Sequence, residues 1–194
     1  MKYLPVLVIT SLFLSACMHR EPNPIAFYRL TADEGINTPL PGRIPDGMIG
    51  LGPIHIPDYL NRPQMMVGTT ENQFTLSEHH RWAERLGQNI SLALFKALPI
   101  QLGSNRIVRH PWPQQQVIDY QIGIDILEFH VGADGQSRLT AQWFIKRKHQ
   151  STIHKRSVYQ APASTTDYGL MVKAQSLCLS KLGREISQIL RQNP

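Results

Sequence analysis

Two pairs of residues that are close in sequence have the side chains that a metal site or an acid–base site would use. His79 and His80 are potential zinc ligands, but adjacent residues on the helix predicted there point about 100° apart and do not easily bind one ion. Asp125 and Glu128 are carboxylates of the kind that general acid–base catalysis uses. They have opposite parity on a predicted strand, so we expect them on opposite faces of the sheet.

Motifs for nucleophilic or phosphate chemistry are also missing from the sequence. No Gly-x-Ser-x-Gly turn positions a nucleophilic serine, and no glycine-rich loop joins a strand to a helix. We therefore predict no catalytic residue, no metal ligand and no bound cofactor. The protein is not expected to be an enzyme.

The two cysteines lie in different surroundings. Cys17 follows a short basic start, an apolar run over residues 4–14 and two small residues. This order is typical of a secretory signal peptide, and the run is too short to span a membrane, which takes roughly 20 residues. Cys178 lies in an apolar helical pattern, where a free cysteine acts as a small apolar residue.

The sequence Leu14-Ser15-Ala16-Cys17 resembles the processing motif of bacterial lipoproteins. The resemblance implies removal of residues 1–16, a diacylglycerol on the Cys17 sulfur and an acyl group on its new amino terminus. Several acyl chains on one residue would hold the protein on a bilayer, because each buried methylene contributes about 0.8 kcal/mol. Met18, in place of the Asp that favours retention in the inner membrane, indicates the outer membrane. An ordinary signal peptide with a coincidental cysteine is the alternative.

The remaining chain has the length of one domain. Residues 17–24 comprise the lipidated cysteine and a polar, proline-containing tether, and residues 25–194 are predicted to fold as one domain. The formal net charge is +6, from 20 Lys and Arg against 14 Asp and Glu. This moderate excess permits contact with an anionic surface and does not require nucleic acid. We expect no nucleic-acid partner for an exported, tethered protein.

Apolar periodicity predicts an α/β fold, a single layered domain with a mixed, largely antiparallel sheet and two long amphipathic helices. Strands are predicted at residues 26–30, 48–56, 64–67, 73–76, 106–109, 120–131, 138–148 and 152–160. The first helix is predicted to begin at an N-cap on Ser77 and to stop at Pro99, and the second to cover about residues 166–191.

Glycines mark two special positions in the predicted sheet. Gly50 and Gly52, followed by Pro53, predict a bulge or an edge position in the second strand. Gly132 and Gly135 flank a tight hairpin turn between the two longest strands. Together with the following hairpin, this turn predicts a three-stranded antiparallel meander.

Several stretches of the mature chain resemble a known family in both residues and order. Phe27-Tyr28-Arg29-Leu30 comes soon after Cys17, and a strand ending in Ile56-Pro57-Asp58-Tyr59-Leu60 follows. On these residues the sequence resembles the PqiC family of ABC-type transport auxiliary lipoproteins, over nearly all of the mature chain. The resemblance implies an outer-membrane lipoprotein that faces the periplasm. It would dock an MCE-type lipid transport assembly and contribute to envelope integrity.

The resemblance also implies partners. A PqiB-like MCE-domain protein would be the direct partner, a PqiA-like inner-membrane protein an indirect one, and outer-membrane lipid would hold the anchor. The residues do not decide whether the protein forms a homo-oligomeric ring. The alternative function is that of a stand-alone periplasmic carrier that encloses a lipid by itself.

A stiff loop after the second strand is a candidate for partner contact. Two prolines bracket it, and a tyrosine inside it is of the amphipathic type common at interfaces. The candidate contact residues are Asp58, Tyr59, Leu60 and Arg62. Local packing that fixes the end of the strand is the alternative role.

Five basic residues gather around the last hairpin. They are Lys146, Arg147, Lys148, Lys155 and Arg156. They are candidates for contact with anionic lipid headgroups or with an acidic partner. The alternative is a solvated hairpin whose charges prevent edge-to-edge aggregation.

Overall fold

One mixed sheet of eight strands and two long helices make up the part of the chain that the computed structural model describes, which is residues 24–32, 35–148 and 150–192. The strands are β1 (Ala26–Tyr28), β2 (Ile49–His55), β3 (Gln64–Thr70), β4 (Gln73–Trp82), β5 (Ile107–Arg109), β6 (Tyr120–Val131), β7 (Gln136–Arg147) and β8 (Ile153–Pro162). The helices are α1 (Leu86–Leu102) and α2 (Tyr168–Gln192), and a short 3-10 turn covers Asp58–Leu60. The predicted leader, Cys17 and the tether up to residue 23 lie outside the described residues, so the predicted domain boundaries stay predictions.

The long strand β6 organises the sheet. Along one side it pairs antiparallel with β7, which pairs antiparallel with β8, as the predicted meander requires. Along its other side β6 pairs in parallel with β2 near its start and with β3 at its end, where Val67 lies beside Val131. Strand β5 pairs with the free edge of β2. On the other side β4 pairs with β3, and β1 pairs with β4. The two longest ladders, β6–β7 and β7–β8, are antiparallel, so the α/β fold with a mixed, largely antiparallel sheet is confirmed.

Both helices pack on the same face of the sheet. The alternating residues Leu139, Ala141, Trp143 and Ile145 of β7 are all nearly inaccessible and face the helices. Apolar residues of α1 and α2 complete the core from the other side. Neither helix of the described residues packs on the opposite face of the sheet, which holds polar residues of the alternating pattern and is called the helix-free face.

A glycine sets the distance between the two helices. A Cβ at Gly183 would lie 3.3 Å from Leu94 Cδ2 and 3.4 Å from Gln101 Oε1. The amide of Gln101 donates to Asn37 Oδ1 at 2.6 Å and accepts from the Ser187 hydroxyl at 3.0 Å. The two helices therefore pack closely at Gly183, with a buried polar network beside it.

The predicted start of the first helix is wrong. Residues 77–82 belong to β4, and α1 begins at Leu86. Trp82 fits the helical four-residue spacing, but it fills the core from the end of a strand that pairs with β1. Ser77 accepts a hydrogen bond from the His80 backbone N–H within an irregular part of β4, so it does not cap a helix.

The predicted end of this helix is also wrong. Pro99 lies inside α1, which continues to Leu102. The helix ends at Gly103, whose φ of 61° is the left-handed conformation typical of a helix C-terminus. The N–H groups of Gly103 and Ser104 bond to the carbonyls of Ile100 and Pro99, so the last turn is satisfied although proline donates no hydrogen bond.

Bulges interrupt both β2 and β6. The register of β2 shifts between Leu51 and Ile54, which confirms the predicted bulge, and β2 has a neighbour on each side. A second shift in β6, between Ile126 and Glu128, was not expected. Because of it, Asp125 and Glu128 are both exposed on the helix-free face, so the predicted opposite orientation of the two carboxylates is wrong.

Candidate functional site

The two ends of the sheet differ in what they carry. Strand β1 runs parallel to β4, which is antiparallel to β3, and β3 is parallel to β6. The chain therefore enters the fold at the end of the sheet where β6 finishes, with β4 and β3 between the two strands. The first turn of α2 lies at the same end, where Tyr168 stacks on His80 and contacts Tyr28. We call the end with Ile25, the β6–β7 turn and the start of α2 the tether end. The end with the β7–β8 turn is called the basic end.

A groove of about 940 Å³ lies on the helix-free face at the tether end. Its walls come from the β3–β4 hairpin, the β6–β7 hairpin and the loop after β2. The apolar lining residues are Tyr59, Met66, Phe74 and Leu76. The polar residues around them include Arg62, Glu71, Glu128, His130, Asp134 and Arg138. The groove is open to solvent, and its mixture of apolar floor and polar rim is typical of a binding surface.

The loop after β2 is fixed from below by Leu60. This side chain is 4% exposed and packs in the core, so it anchors the loop and presents no contact surface. The Tyr59 ring stacks on Phe74 at a centroid distance of 5.7 Å, and its hydroxyl donates to the Leu127 carbonyl at 3.4 Å. Burial, together with the nearby Glu128 carboxylate, raises the pKa of Tyr59, which keeps its hydroxyl protonated as a donor.

Of the four predicted contact residues in this loop, two line the groove. Tyr59 and Arg62 do so, Asp58 is exposed beside them, and Leu60 is the buried anchor. The candidate partner contact is thereby reduced to Asp58, Tyr59 and Arg62. Leu60 has the local packing role that was the alternative, while a partner contact through the other three residues stays a prediction.

Paired polar groups form the rim of the groove. Glu128 accepts a hydrogen bond from the Thr140 hydroxyl at 2.7 Å. Arg138 forms an ion pair with Asp134, and this contact holds the pKa of Asp134 below its ordinary value. The His130 ring meets the Phe74 ring edge-on at a centroid distance of 4.9 Å. Burial lowers the pKa of His130, so a neutral imidazole faces a mainly apolar groove at neutral pH.

Sequence reasoning did not identify His130, Phe74 or Met66 as functional residues. Each belongs to a different strand, and the strands meet only through the order β4-β3-β6. A polar Glu128 and a histidine near the end of an apolar strand were the available signals. They do not indicate a groove unless the position of the β3–β4 hairpin is known.

The five basic residues cluster at the basic end, but they face two directions. In the β7–β8 pairing, Lys155 lies beside Trp143 and so is on the helix side, while Arg156 lies beside Gln142 on the helix-free face. Lys146 shares the helix-free face, Arg147 is partly covered on the helix side, and Lys148 is exposed in the turn. None of the five forms an ion pair with another described residue.

The two histidines of the adjacent pair lie in different surroundings. His79 is exposed, while the His80 ring lies 3.8 Å from the Tyr168 ring and its Nδ1 lies 2.9 Å from the Tyr28 hydroxyl. Within the described ranges no group of three or more His, Cys, Asp or Glu side chains is placed to hold a metal ion. Cys178 is buried with its sulfur 3.8 Å from the Ser137 carbonyl, and burial raises the pKa of its thiol. None of the helices in the described part is long and apolar enough to cross a bilayer.

Comparisons with known proteins give a family and a fold. The model of a family described as "ABC-type transport auxiliary lipoprotein component" matches residues 28–187. The intermembrane transport lipoprotein PqiC of Escherichia coli (strain K12) is 23% identical over 190 residues, which cover 97% of this chain and 98% of that protein. PqiC of Shigella flexneri matches with the same identity and coverage.

Solved structures share the fold at low sequence identity. Protein XCC0632 from Xanthomonas campestris is 15% identical with a TM-score of 0.73, and the match covers 86% of this chain and 95% of the XCC0632 chain. An uncharacterised protein of known crystal structure is 18% identical with a TM-score of 0.70, covering 86% of this chain and 99% of its own. At these identities the likeness shows the fold alone.

Proposed function

We propose a function for this chain from its family membership: the chain belongs to the ABC-type transport auxiliary lipoprotein components. Its role would be that of a lipoprotein subunit in an intermembrane transport system, like that named for its PqiC relatives. Cys17 would carry the lipid that anchors it in the outer membrane, with the folded domain in the periplasm. The domain would dock the transport assembly there and move lipid only as part of it.

The groove at the tether end is the observation that supports docking. Its apolar floor is preformed, because Leu60 in the core and the Tyr59–Phe74 stack hold the loop in place. A preformed surface loses little conformational entropy when a partner binds. The proposed occupant is an apolar segment of a PqiB-like MCE-domain protein, through which a PqiA-like inner-membrane protein would be reached indirectly. A homo-oligomer ring of this chain is compatible with such a contact.

An open groove favours docking over the alternative of a stand-alone lipid carrier. A carrier would need to remove a whole acyl chain from water, whereas this groove leaves one side exposed to solvent. The enclosed space beneath it, between Trp82, Phe129 and Gln175, has a volume of only about 10 Å³. That space is smaller than one acyl chain requires.

Photo-crosslinking in intact envelopes tests this proposal. A photoreactive amino acid in place of Tyr59 is expected to capture an MCE-domain protein, because Tyr59 lines the groove. The same residue in place of Val117, which is 58% exposed and far from the groove, is the matched control. Capture at neither position, or equal capture at both, would argue against the groove as the docking site. Co-purified phospholipid without any protein partner would favour the carrier.

A further inference from the structure

We infer that the tether end of the domain rests on the lipid bilayer that holds the anchor, with Phe27 and Ile25 at the boundary between headgroups and acyl chains. This inference relies on the proposed lipid anchor at Cys17. It adds an orientation to the proposed function: the tether end faces the membrane and the basic end points away from it.

Three large apolar side chains are left exposed around the point where the chain enters the fold. Phe27 is 65% exposed, Leu170 54% and Ile25 46%. Phe27 lies beside Arg81 in the β1–β4 pairing, while the next residue, Tyr28, contacts Tyr168 of α2. Phe27 therefore points away from the helices and has no core to enter. Large apolar side chains gathered at one end of a domain indicate an interaction surface.

The position of the anchor identifies the occupant of this surface. The residues 17–24 separate the proposed lipid on Cys17 from Ile25, and a fully extended chain of that length spans at most about 29 Å. The strand β7 alone, with 12 residues, spans roughly 36 Å from the tether end to the basic end. The anchor therefore holds Ile25 within about 29 Å of the bilayer, less than the length of β7. A bilayer is an apolar phase that both side chains can enter.

Charges near Phe27 suit the headgroup region. Arg29 is exposed two residues later and forms no ion pair within the described part of the chain. Arg81, beside Phe27, is partly exposed and pairs with Glu78 at 3.5 Å. A guanidinium next to an aromatic ring can bind lipid phosphate while the ring enters the apolar layer. By contrast, the five basic residues of the last hairpin lie at the far end of the sheet, so we no longer expect them to contact the bilayer that holds the anchor.

A water-accessibility experiment on the full lipidated chain tests this orientation. Cys178 is fully buried and the Cys17 sulfur would carry lipid, so a cysteine introduced on the surface is available for selective labelling with the fluorophore NBD. The probe is placed at Phe27→Cys and, as a control of similar exposure at the basic end, at Val117→Cys. Both proteins are reconstituted in vesicles of phosphatidylethanolamine and phosphatidylglycerol, and the probes are quenched with aqueous iodide.

The probe at position 27 is expected to be quenched about fivefold less than the probe at position 117, because burial in the bilayer interface excludes iodide. Equal quenching in protein that floats with the vesicles would overturn the orientation but leave the anchor intact. Stronger protection at position 117 would overturn it in favour of the basic end. Protein that does not float with the vesicles would overturn both the anchor and the orientation.

A second pair of variants separates lipid contact from a structural effect. With the probe at Leu170→Cys, Phe27→Glu is expected to raise iodide quenching in vesicles, whereas Phe27→Tyr is expected to leave it unchanged. Phe27 is mostly exposed, so neither variant should alter the thermal unfolding midpoint. Unchanged quenching at position 170 in Phe27→Glu would contradict a lipid contact through Phe27.

Discussion

The two halves of the helix-free sheet face use their aromatic side chains differently. Towards the basic end, the rings of Trp112 and Phe144 cover Gly50 and Gly123; a Cβ at Gly50 would lie 2.9 Å from Trp112 Cζ3. Towards the tether end, Tyr59 and Phe74 stack on each other and line an open groove. The rings that cover glycines fill the surface of the sheet near the basic end. The rings of Tyr59 and Phe74, which come from a loop and a hairpin, leave the surface near the tether end open. The same sheet thus has a filled half and a half that can receive a partner.

The two ends of the sheet also differ in how their charged side chains are paired. Around the groove, Arg138 is paired with Asp134, and Glu128 is bonded to Thr140. At the basic end, five cationic residues remain without carboxylate partners within the described ranges. We expect specific contact at the tether end and long-range electrostatic attraction at the basic end, because unpaired surface charge acts over several ångströms and is weakened by salt.

The largest expected effect concerns the anchor that distinguishes the two ends. Cys17→Ser removes the only sulfur that the lipoprotein motif would modify, so acyl labelling should be lost completely and the protein should leave the membrane fraction. Metabolic labelling with a fatty acid and membrane fractionation measure this. Cys178→Ala is the control and should keep the label, since Cys178 is buried in the fold. Retained labelling in Cys17→Ser would remove the basis for naming one end the tether end.

A core substitution under the groove should have the next largest effect. Leu60→Ala removes a side chain that is 4% exposed, and we expect the free energy of unfolding to fall by about 3 kcal/mol. The loss should be measured by denaturant unfolding. Ile44→Ala, at a residue 47% exposed, should change it by less than about 0.5 kcal/mol. A similar small loss in Leu60→Ala would mean that the loop is not anchored by this residue.

The filled half can be tested by overpacking. In Gly123→Ala the new methyl group would meet the Phe144 ring, so we expect a destabilisation of about 1–3 kcal/mol. The double variant Gly123→Ala with Phe144→Ala should recover part of this loss, because the clash is removed. Denaturant unfolding of the single and double variants measures the coupling between the two residues. Additive losses would show that the ring does not lie over the glycine.

The half-buried histidine of the groove, His130, predicts a modest pH dependence of stability. Burial lowers the pKa of His130 in the folded protein, so the unfolded chain binds more protons between the lowered pKa and the ordinary value near 6.5. Stability should therefore fall as the pH decreases from 7 to 5, by at most about 1.4 kcal/mol per pH unit from this group. The charges of Glu128 and Asp134 raise the pKa of His130 and that of Arg138 lowers it, but burial is the largest effect.

The measurement is the free energy of unfolding across this pH range. His130→Gln should flatten the dependence, while His154→Gln, at an exposed position near the basic end, should retain it. An unchanged slope in His130→Gln would show that burial at the groove does not control the titration.

Charge reversal at the basic end should have the smallest effect on membrane binding. Lys146→Glu with Arg156→Glu changes two exposed side chains on the helix-free face, so stability should move by less than about 0.5 kcal/mol. Flotation of the lipidated protein with anionic vesicles should stay the same, since this end points away from the anchor. Salt-dependent loss of flotation in the double variant would contradict the proposed orientation.

The sequence by itself determined the long elements of this protein. Strands β6, β7 and β8 and helix α2 follow from the alternation and the helical period of their own residues, with the hairpin turn marked by Gly132 and Gly135. These signals are local, so no contact across the chain is needed to interpret them. The family resemblance, confirmed over residues 28–187, also rests on short ordered motifs.

Only the tertiary structure decided where those elements begin, which way they face and what they enclose. Trp82 joins a strand because β1 pairs beside it, and Asp125 and Glu128 share a face because of a bulge opposite β7. The groove, and the placement of Ile25 and the basic hairpin at opposite ends, depend on the strand order, which brings residues far apart in sequence to one edge. Periodicity records which side of an element is apolar, but neither strand order nor register is encoded within a single element.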